Sequence, residues 1–162
     1  MGPFVGRPVV RLLGRTVEKL DFFDPEQWGP YHGDEVHFAD IEEVLGKLDS
    51  IRWWELYTTK ELPRRLVLTI IPLEGQSLDE NIVMNLLLNN INEATRVFHI
   101  AQALNEFDLI ILPSDAYKGV ERDIEKLVDE RGASRVKPRR LFTMTNIIDV
   151  DNHLQQKYGI FR

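Results

Sequence analysis

The sequence predicts an α/β fold, with a mixed or parallel sheet and packed helices in two layers or in a three-layer-like arrangement. Three apolar strand patterns, at 65–73, 108–113 and 141–150, alternate with three helical patterns along the chain. Such alternation favours a sheet with helices packed on it, because each helix returns the chain to the same sheet. At 162 residues the chain is long enough for a single domain with a sizeable core.

The predicted β-α-β-α-β-α core occupies residues 61–162. RLVLTIIPL (65–73) is almost continuously apolar, as expected of a buried strand. Apolar residues then recur at threes and fours from about Leu78 to Phe107, which predicts a long helix with Asp79 as its N-cap. DLIILP is the second buried strand.

The third strand pattern lies between two shorter helices. AYKGVERDIEKLVDERG is amphipathic and ends at Gly132, a residue type that is common just after a helix. The strand LFTMTNIIDV (141–150) precedes a C-terminal helix, DNHLQQKYG, which stops at Gly159.

Residues 1–60 form the predicted N-terminal α+β elaboration. β-Branched and aromatic residues at 7–23 predict two short strands or one bent strand, and Pro, Gly and Asp at 24–33 predict a loop. A short extended piece then leads into a helix from about Asp40 to Ser50. The aromatic-rich segment IRWWELYTT fits either a strand or a helix.

Composition narrows the classes of function. The formal net charge of −6 argues against nucleic-acid binding by the whole surface. The absence of cysteine excludes disulfides, thiol nucleophiles and cysteine-ligated zinc, and fits a cytoplasmic protein. No apolar run approaches the roughly 20 residues that a membrane-spanning helix needs. We therefore expect a cytoplasmic protein without a cofactor.

YHGDEVHFAD, residues 31–40, concentrates potential metal ligands. Asp40 and Glu43 stand three apart before an apolar helical pattern, which is the form of a capping box. Asp34 beside a glycine is typical of a turn. No metal is predicted, because only three potential ligands are left without a structural role: His32, Glu35 and His37.

The loop PSDAYKGVERDIE, residues 113–125, follows a buried strand, where ligands bind in doubly wound sheets. This loop resembles that of nucleoside deoxyribosyltransferase-like proteins, in which a strand ends in Pro and a Gly precedes an acidic helix position. The resemblance implies that Asp115 contacts a ribose. It also implies a nucleophilic carboxylate that attacks the anomeric carbon, at Glu121, Asp123 or Glu125. The alternative is a turn followed by a capped helix.

IIDVDNH, residues 147–153, places Asp149 and Asp151 at the end of the predicted third strand, with His153 nearby. Carboxylates at this position suit a hard divalent cation. Aspartate at a strand–helix boundary is equally typical of a helix N-cap, and we prefer that interpretation.

Residues 131–140 form a basic run in a chain whose net charge is negative. Its members could meet a phosphate-bearing or acidic partner, although no aromatic residues interleave to stack on bases. A solvated loop that offsets the acidic helix before it is the alternative. The basic residues concerned are Arg131, Arg135, Lys137, Arg139 and Arg140.

The long helix carries a polar stripe that is almost without charge. Asparagine is a poor helix former, so the stripe predicts hydrogen bonding to a partner chain or to neighbouring backbone. Trp53 and Trp54 belong to a residue type favoured in interfaces, although a place in the core fits them equally. The stripe consists of Asn81, Asn85, Asn89, Asn92, Arg96 and His99.

Two functions follow as expectations, and whether the protein is an enzyme stays open. The first is a non-catalytic interaction or assembly protein, either a homo-oligomer or a subunit of a larger complex. GDEVHFADIEEVLGKL resembles strand-plus-helix segments common in bacteriophage-encoded proteins, so a bacteriophage origin is part of this expectation. The second is a small α/β enzyme with deoxyribosyltransferase-like N-glycosidic chemistry on a nucleoside or nucleotide.

Overall fold

The computed structural model describes residues 19–21, 35–62, 64–89, 98–99, 101–131 and 138–160. The elements in chain order are β1 (Lys19–Asp21), β2 (Glu35–His37), α1 (Phe38–Leu45), β3 (Ile51–Thr59), β4 (Leu66–Pro72), α2 (Glu80–Asn89), β5 (Phe107–Ile111), a 3₁₀ turn (Ser114–Ala116), α3 (Tyr117–Arg131), β6 (Leu141–Met144) and α4 (Ile147–Tyr158).

A four-stranded mixed sheet in the order β5-β4-β3-β6 forms the centre of the fold. β3 and β4 are an antiparallel pair, whereas β4 runs parallel to β5 and β3 runs parallel to β6. β1 and β2 form a separate antiparallel pair in the N-terminal elaboration. The predicted α/β fold with a mixed sheet, packed helices and an N-terminal α+β elaboration is therefore confirmed. β3, however, was predicted to belong to the elaboration at 1–60 and is instead an inner strand of the central sheet.

Helices cover both faces of this sheet, which makes the fold three-layered. Successive side chains of a strand point to opposite faces, and β3 follows this rule. Trp54 and Leu56 pack with α1 and α2 in one cluster of buried residues. Trp53 and Tyr57 point the other way, to the face that α3 and α4 cover. We call this second side the α3–α4 face.

IRWWELYTT is one of the two inner strands of the sheet, and all its residues from Trp53 onward are buried. Sequence periodicity left it ambiguous because both of its faces are covered, so polar and apolar residues do not alternate. The second inner strand, β4, is likewise buried along its whole length.

The helix caps agree with the sequence in two places. Asp79 accepts a hydrogen bond from the backbone N–H of Asn81 at 2.8 Å, so it caps α2 as predicted. Gly159 ends α4 in the left-handed region, with φ of 71°, and donates its N–H to the Gln155 carbonyl at 2.8 Å. That conformation favours glycine over residues with a Cβ atom.

Two expected helix starts were wrong. α1 begins at Phe38, two residues early, so Asp40 lies within its first turn instead of at the predicted capping position. An acidic side chain there still favours the helix through its dipole. The third strand ends at Met144 instead of residue 150, because the Asn146 side chain accepts the Asp149 N–H at 3.0 Å and starts α4.

The predicted long helix from Leu78 to Phe107 is described only in part. α2 covers its beginning, and residues 98–99 and 101–103 are helical, with Phe98 and Ala101 buried in the core. Its remaining residues, 90–97 and 100, lie outside the described residues, as does Gly132. Of the strand pattern predicted at 7–23, only residues 19–21 are described, and they form β1.

Candidate functional site

The crevice beyond the carboxyl ends of β4 and β5 is the first candidate site. These two strands are parallel neighbours. The chain leaves β4 toward α2 on one face of the sheet, and leaves β5 toward α3 on the opposite face. Neighbouring parallel strands whose connections go to opposite faces leave a crevice at their carboxyl edge, where ligands bind in open α/β sheets. We call it the β4–β5 crevice.

A cavity of about 240 Å³ occupies the β4–β5 crevice. Its walls come from the start of β3, the turn after β4 and the loop that joins β5 to α3. The lining residues are Arg52, Glu74, Ser114, Asp115, Tyr117, Lys118 and Glu121.

Three carboxylates and two cations line the β4–β5 crevice, so its lining carries one net negative charge. The Arg52 guanidinium lies 3.7 Å from the centroid of the Tyr117 ring, a cation–π contact between two residues of the lining. The Tyr117 ring also makes an edge contact with the buried Trp53 ring, which further fixes the position of Tyr117. The arrangement suits an uncharged ligand with hydroxyl groups better than an anion.

The four carboxylates predicted on the 113–125 loop separate in the structure. Asp115 and Glu121 line the β4–β5 crevice together. Asp123 lies on another side of α3, because two positions along a helix turn a side chain through about 200°. Glu125 is exposed and lies outside the lining of the crevice.

A buried carboxylate at the centre of the α3–α4 face is the second candidate site. Glu55 is fully buried in the middle of β3. Its Oε1 accepts hydrogen bonds from the hydroxyls of Tyr57 and Tyr158, each at 2.6 Å. Its Oε2 accepts from Trp53 Nε1 at 3.1 Å and from Lys157 Nζ at 2.5 Å. We call these five residues the Glu55 network.

Lys157 connects the Glu55 network to the surface. Its side chain is only 6% exposed, yet its ammonium also lies 2.9 Å from Asp123 Oδ2, whose side chain is 46% exposed. A buried charge needs a partner, since removing it from water costs several kcal/mol without one. Lys157 therefore stands between an inner carboxylate that is fully enclosed and an outer one that meets solvent.

The two tyrosines act as neutral hydrogen-bond donors to Glu55. Burial raises the pKa of Tyr57 well above its usual value, and the neighbouring Glu55 charge raises it further. Burial and Glu55 raise the pKa of Tyr158 in the same direction. Both hydroxyls therefore keep their protons at neutral pH, so the Lys157 ammonium supplies the positive charge that balances the buried carboxylate.

His153 adjoins this network through its ring. The ring centroid lies 5.4 Å from that of Tyr57 and 5.4 Å from that of Phe142. Burial lowers the pKa of His153, and the Lys157 charge lowers it further. The Nε2 atom is buried without a hydrogen-bond partner among the described residues. A neutral imidazole fits this environment, since a charged one would lie buried beside a cation.

A second cavity, of about 270 Å³, lies between α3 and the β6–α4 part of the chain. We call it the α3–α4 cavity. Lys157 and Asp123 line it, so it meets the Glu55 network at the ammonium. Its other lining residues are Lys126, Leu127, Glu130, Pro138, Arg139 and Phe142.

Gly119 allows α3 and α4 to approach closely enough for this arrangement. A Cβ atom at Gly119 would lie 2.5 Å from the Lys157 carbonyl oxygen and 3.0 Å from the Tyr158 ring. The same carbonyl accepts a hydrogen bond from Arg122 at 3.0 Å. Residues 157 and 158 are thus held against α3 by backbone as well as by side-chain contacts.

Some of the residues predicted to bind a partner are buried in the structure, and others are exposed. Trp53 and Trp54 are buried on opposite faces of β3, so they belong to the core. Arg140 lies 3.9 Å over the Trp53 ring and 2.9 Å from Glu42, whereas Arg139 is exposed at the α3–α4 cavity. The exposed members of the asparagine stripe are Asn81, Asn85, Asn89 and His99. Two members of the stripe and two of the basic run lie outside the described residues: Asn92, Arg96, Arg135 and Lys137.

The residues weighed as metal ligands do not converge where the structure describes them. Within the described ranges, no group of three or more His, Asp or Glu side chains could hold a metal ion. Asp149, Asp151 and His153 are all in helix α4, whose N-cap is Asn146, so the interpretation of the two aspartates as the helix N-cap was wrong. Asp34 and His32 lie outside the described residues, as do the side chains of Glu35 and His37.

Comparison with protein-family models, with curated proteins and with solved structures finds no match to this chain. Among the described helices, none has both the length and the apolar character needed to cross a membrane. The two cavities and the exposed surface are therefore the features of the molecule from which a function is inferred.

Sequence reasoning missed the Glu55 network. The one available signal was a glutamate inside the aromatic segment WWELY, with Trp53 and Tyr57 two positions to either side. Residues at that spacing share a strand face. Its cationic partner, Lys157, is 102 positions away in the sequence, so no spacing rule connects the two.

Proposed function

We propose that the chain is a small α/β enzyme that acts on the N-glycosidic bond of a nucleoside in the β4–β5 crevice. One observation carries this proposal: Asp115 and Glu121 line one crevice at the carboxyl ends of neighbouring parallel strands. The resemblance of the 113–125 loop to nucleoside deoxyribosyltransferase-like proteins supplies the class of substrate.

The chemistry assigns a different role to each carboxylate. Asp115 accepts hydrogen bonds from the sugar hydroxyls, which fixes the ring in the crevice. The Glu121 carboxylate attacks the anomeric carbon, forming a glycosyl ester while the carbon–nitrogen bond breaks. The base leaves with the electron pair and takes a proton from solvent. Water then hydrolyses the ester, which frees the sugar, regenerates the Glu121 carboxylate and returns a proton to solvent. The net negative lining favours a nucleoside over its phosphorylated form.

Asp115→Asn tests the binding part of this proposal. We expect a nucleoside to raise the melting temperature of the wild-type protein, and this variant to bind it about tenfold more weakly, because a charge-assisted hydrogen bond is lost. Isothermal titration with purine and pyrimidine nucleosides measures the affinity. Glu125→Gln, an exposed change on α3, is the control and should bind as the wild type does. Equal affinity in Asp115→Asn and wild type would contradict the proposal.

Assembly through the opposite edge of the sheet is a second candidate function. Three of the large apolar side chains that are most open to solvent, Leu62, Leu104 and Ile148, are 61%, 41% and 65% exposed. They lie at the edge where β3 and β6 end and β4 and β5 begin. Hydrogen bonds connect the Leu62 turn to the segments beside the other two, from Lys60 N to the Met144 carbonyl and from Arg65 to the Asn105 carbonyl. Exposed apolar groups gathered at one edge are typical of an interaction surface.

Leu62→Asp combined with Ile148→Asp tests this second function. We expect the wild type to have a mass above that of one chain in light scattering at micromolar concentration, and the double variant to be monomeric, because burying a carboxylate in an apolar contact is unfavourable. Val128→Asp places the same charge at an exposed position on α3 and should leave the mass unchanged. A monomeric wild type would count against assembly.

Three further expectations stay predictions. Hydrogen bonding of the asparagine stripe to a partner chain is compatible with the exposure of Asn81, Asn85 and Asn89. A phosphate-bearing or acidic partner for the basic run at 131–140 and a bacteriophage origin rest on the sequence alone.

A further inference from the structure

We propose that the α3–α4 cavity is a binding site for a small organic monoanion, a carboxylate with a compact apolar body, which takes Lys157 as its central partner. This site is separate from the β4–β5 crevice and does not depend on the function proposed there. Four observations support it: the position of the Lys157 ammonium, the closure of the Glu55 network, the charge of the cavity and its apolar wall.

The Lys157 ammonium keeps donor capacity at the floor of the cavity. An ammonium has three N–H groups, and two oxygen partners are found for it among the described residues, Glu55 Oε2 and Asp123 Oδ2. The side chain is more than nine-tenths buried, so the ammonium is held in one place instead of moving freely in solvent. A fixed, partly dehydrated cation binds an anion more strongly than an exposed lysine does.

Asp123 is the less constrained of the two carboxylates that pair with Lys157. The two Glu55 oxygens accept from four donors and are enclosed on all sides. Asp123 instead stands 46% exposed at the cavity and needs only to turn toward solvent to leave the ammonium. In the free protein Asp123 therefore occupies the position that a ligand carboxylate would take.

The remaining lining fits an anion with an apolar part. Lys126, Arg139 and Lys157 face Asp123 and Glu130 in the lining, and the buried Glu55 pairs with Lys157, so the charges balance in the free protein. When Asp123 turns toward solvent, one positive charge is left in the cavity, and a single ligand carboxylate balances it. Leu127, Pro138 and Phe142 supply apolar surface in the same cavity, and the Phe142 ring centroid is 5.7 Å from the Lys157 ammonium. A carboxylate on the ammonium would thus have its apolar body beside these side chains.

The test uses benzoate as the probe. Isothermal titration of benzoate into the whole chain measures the affinity. Asp123→Asn should bind benzoate about fivefold more tightly than the wild type, because the carboxylate that competes for Lys157 is gone. Arg139→Gln should bind about fivefold more weakly. Both changes affect side chains that meet solvent, and unchanged melting profiles would confirm that the fold is intact.

Matched controls separate this site from the crevice. Lys118→Gln removes an exposed lysine on another side of α3, and Glu121→Gln changes the crevice; both should bind benzoate as the wild type does. The proposal would be overturned if benzoate at millimolar concentration bound neither the wild type nor Asp123→Asn. An Asp123→Asn affinity that is unchanged or weaker would also overturn it. Binding of inorganic phosphate without binding of benzoate would overturn the assigned ligand class. None of these outcomes bears on nucleoside binding in the crevice.

Discussion

Glu55→Gln is expected to lower the free energy of unfolding by about 3–5 kcal/mol, because it leaves the buried Lys157 ammonium without its inner counter-charge. The substitution keeps the shape of the side chain, so the loss comes from charge and hydrogen bonding and not from a cavity. A Gln amide also carries N–H donors. At the Oε2 position they would face Trp53 Nε1 and the Lys157 ammonium, which are donors themselves. At the Oε1 position they would require the tyrosine hydroxyls to accept hydrogen bonds instead of donating them.

Chemical denaturation with urea measures this effect through the midpoint and the slope of the transition. The double variant Glu55→Gln with Lys157→Met should lose less stability than the two single variants added together, by at least about 1 kcal/mol, because the two residues interact directly. Glu125→Gln, an exposed glutamate on α3, is the control and should change stability by no more than about 0.5 kcal/mol. If Glu55→Gln unfolded at the same urea concentration as the wild type, the Glu55 carboxylate would not be charged and paired as described.

Glu121→Gln is expected to lower the rate of base release from a nucleoside by about 10⁴-fold or more, because an amide cannot form the glycosyl ester. Its affinity for the nucleoside should change little, since Asp115 and the rest of the lining are intact. Chromatographic separation of free base from nucleoside measures the rate, and titration measures the affinity.

Two neighbouring carboxylates on α3 provide matched controls for Glu121→Gln. Asp123→Asn and Glu125→Gln carry the same kind of change on the same helix but lie outside the β4–β5 crevice, so both should keep the wild-type rate. If Asp123→Asn abolishes base release while Glu121→Gln does not, the reaction belongs to the α3–α4 cavity. Absence of base release from the wild type would leave assembly as the favoured function.

Local signals in the sequence were enough to place most elements. The continuous apolar run of β4 identified a strand buried on both faces, and Asp79 and Gly159 marked the start of α2 and the end of α4. Each of these signals acts within a few residues, as backbone hydrogen bonding at helix ends does. The same locality explains the misplaced starts of α1 and α4, where several polar residues near each boundary could have served as the cap.

The candidate sites were predictable only as single residues. Asp115 and Glu121 stood out because they follow a strand, but their separation from Asp123 depends on which side of α3 faces the crevice. Trp53 and Trp54 could have belonged to the core or to an interface, and their burial decides for the core. Exposure of a side chain is a property of the packed molecule and not of a short segment.

The sequence by itself determined the class of fold, the order of the strands and helices from β4 onward, and the carboxylates of the 113–125 loop as candidate site residues. Only the tertiary structure decided that β3 pairs antiparallel with β4 and parallel with β6. It alone brought Glu55 to Lys157, across 102 positions, and divided the carboxylates of α3 between two cavities. The physical reason is that periodicity and capping act over a few residues, whereas pairing a buried charge requires elements distant in the chain to pack against each other.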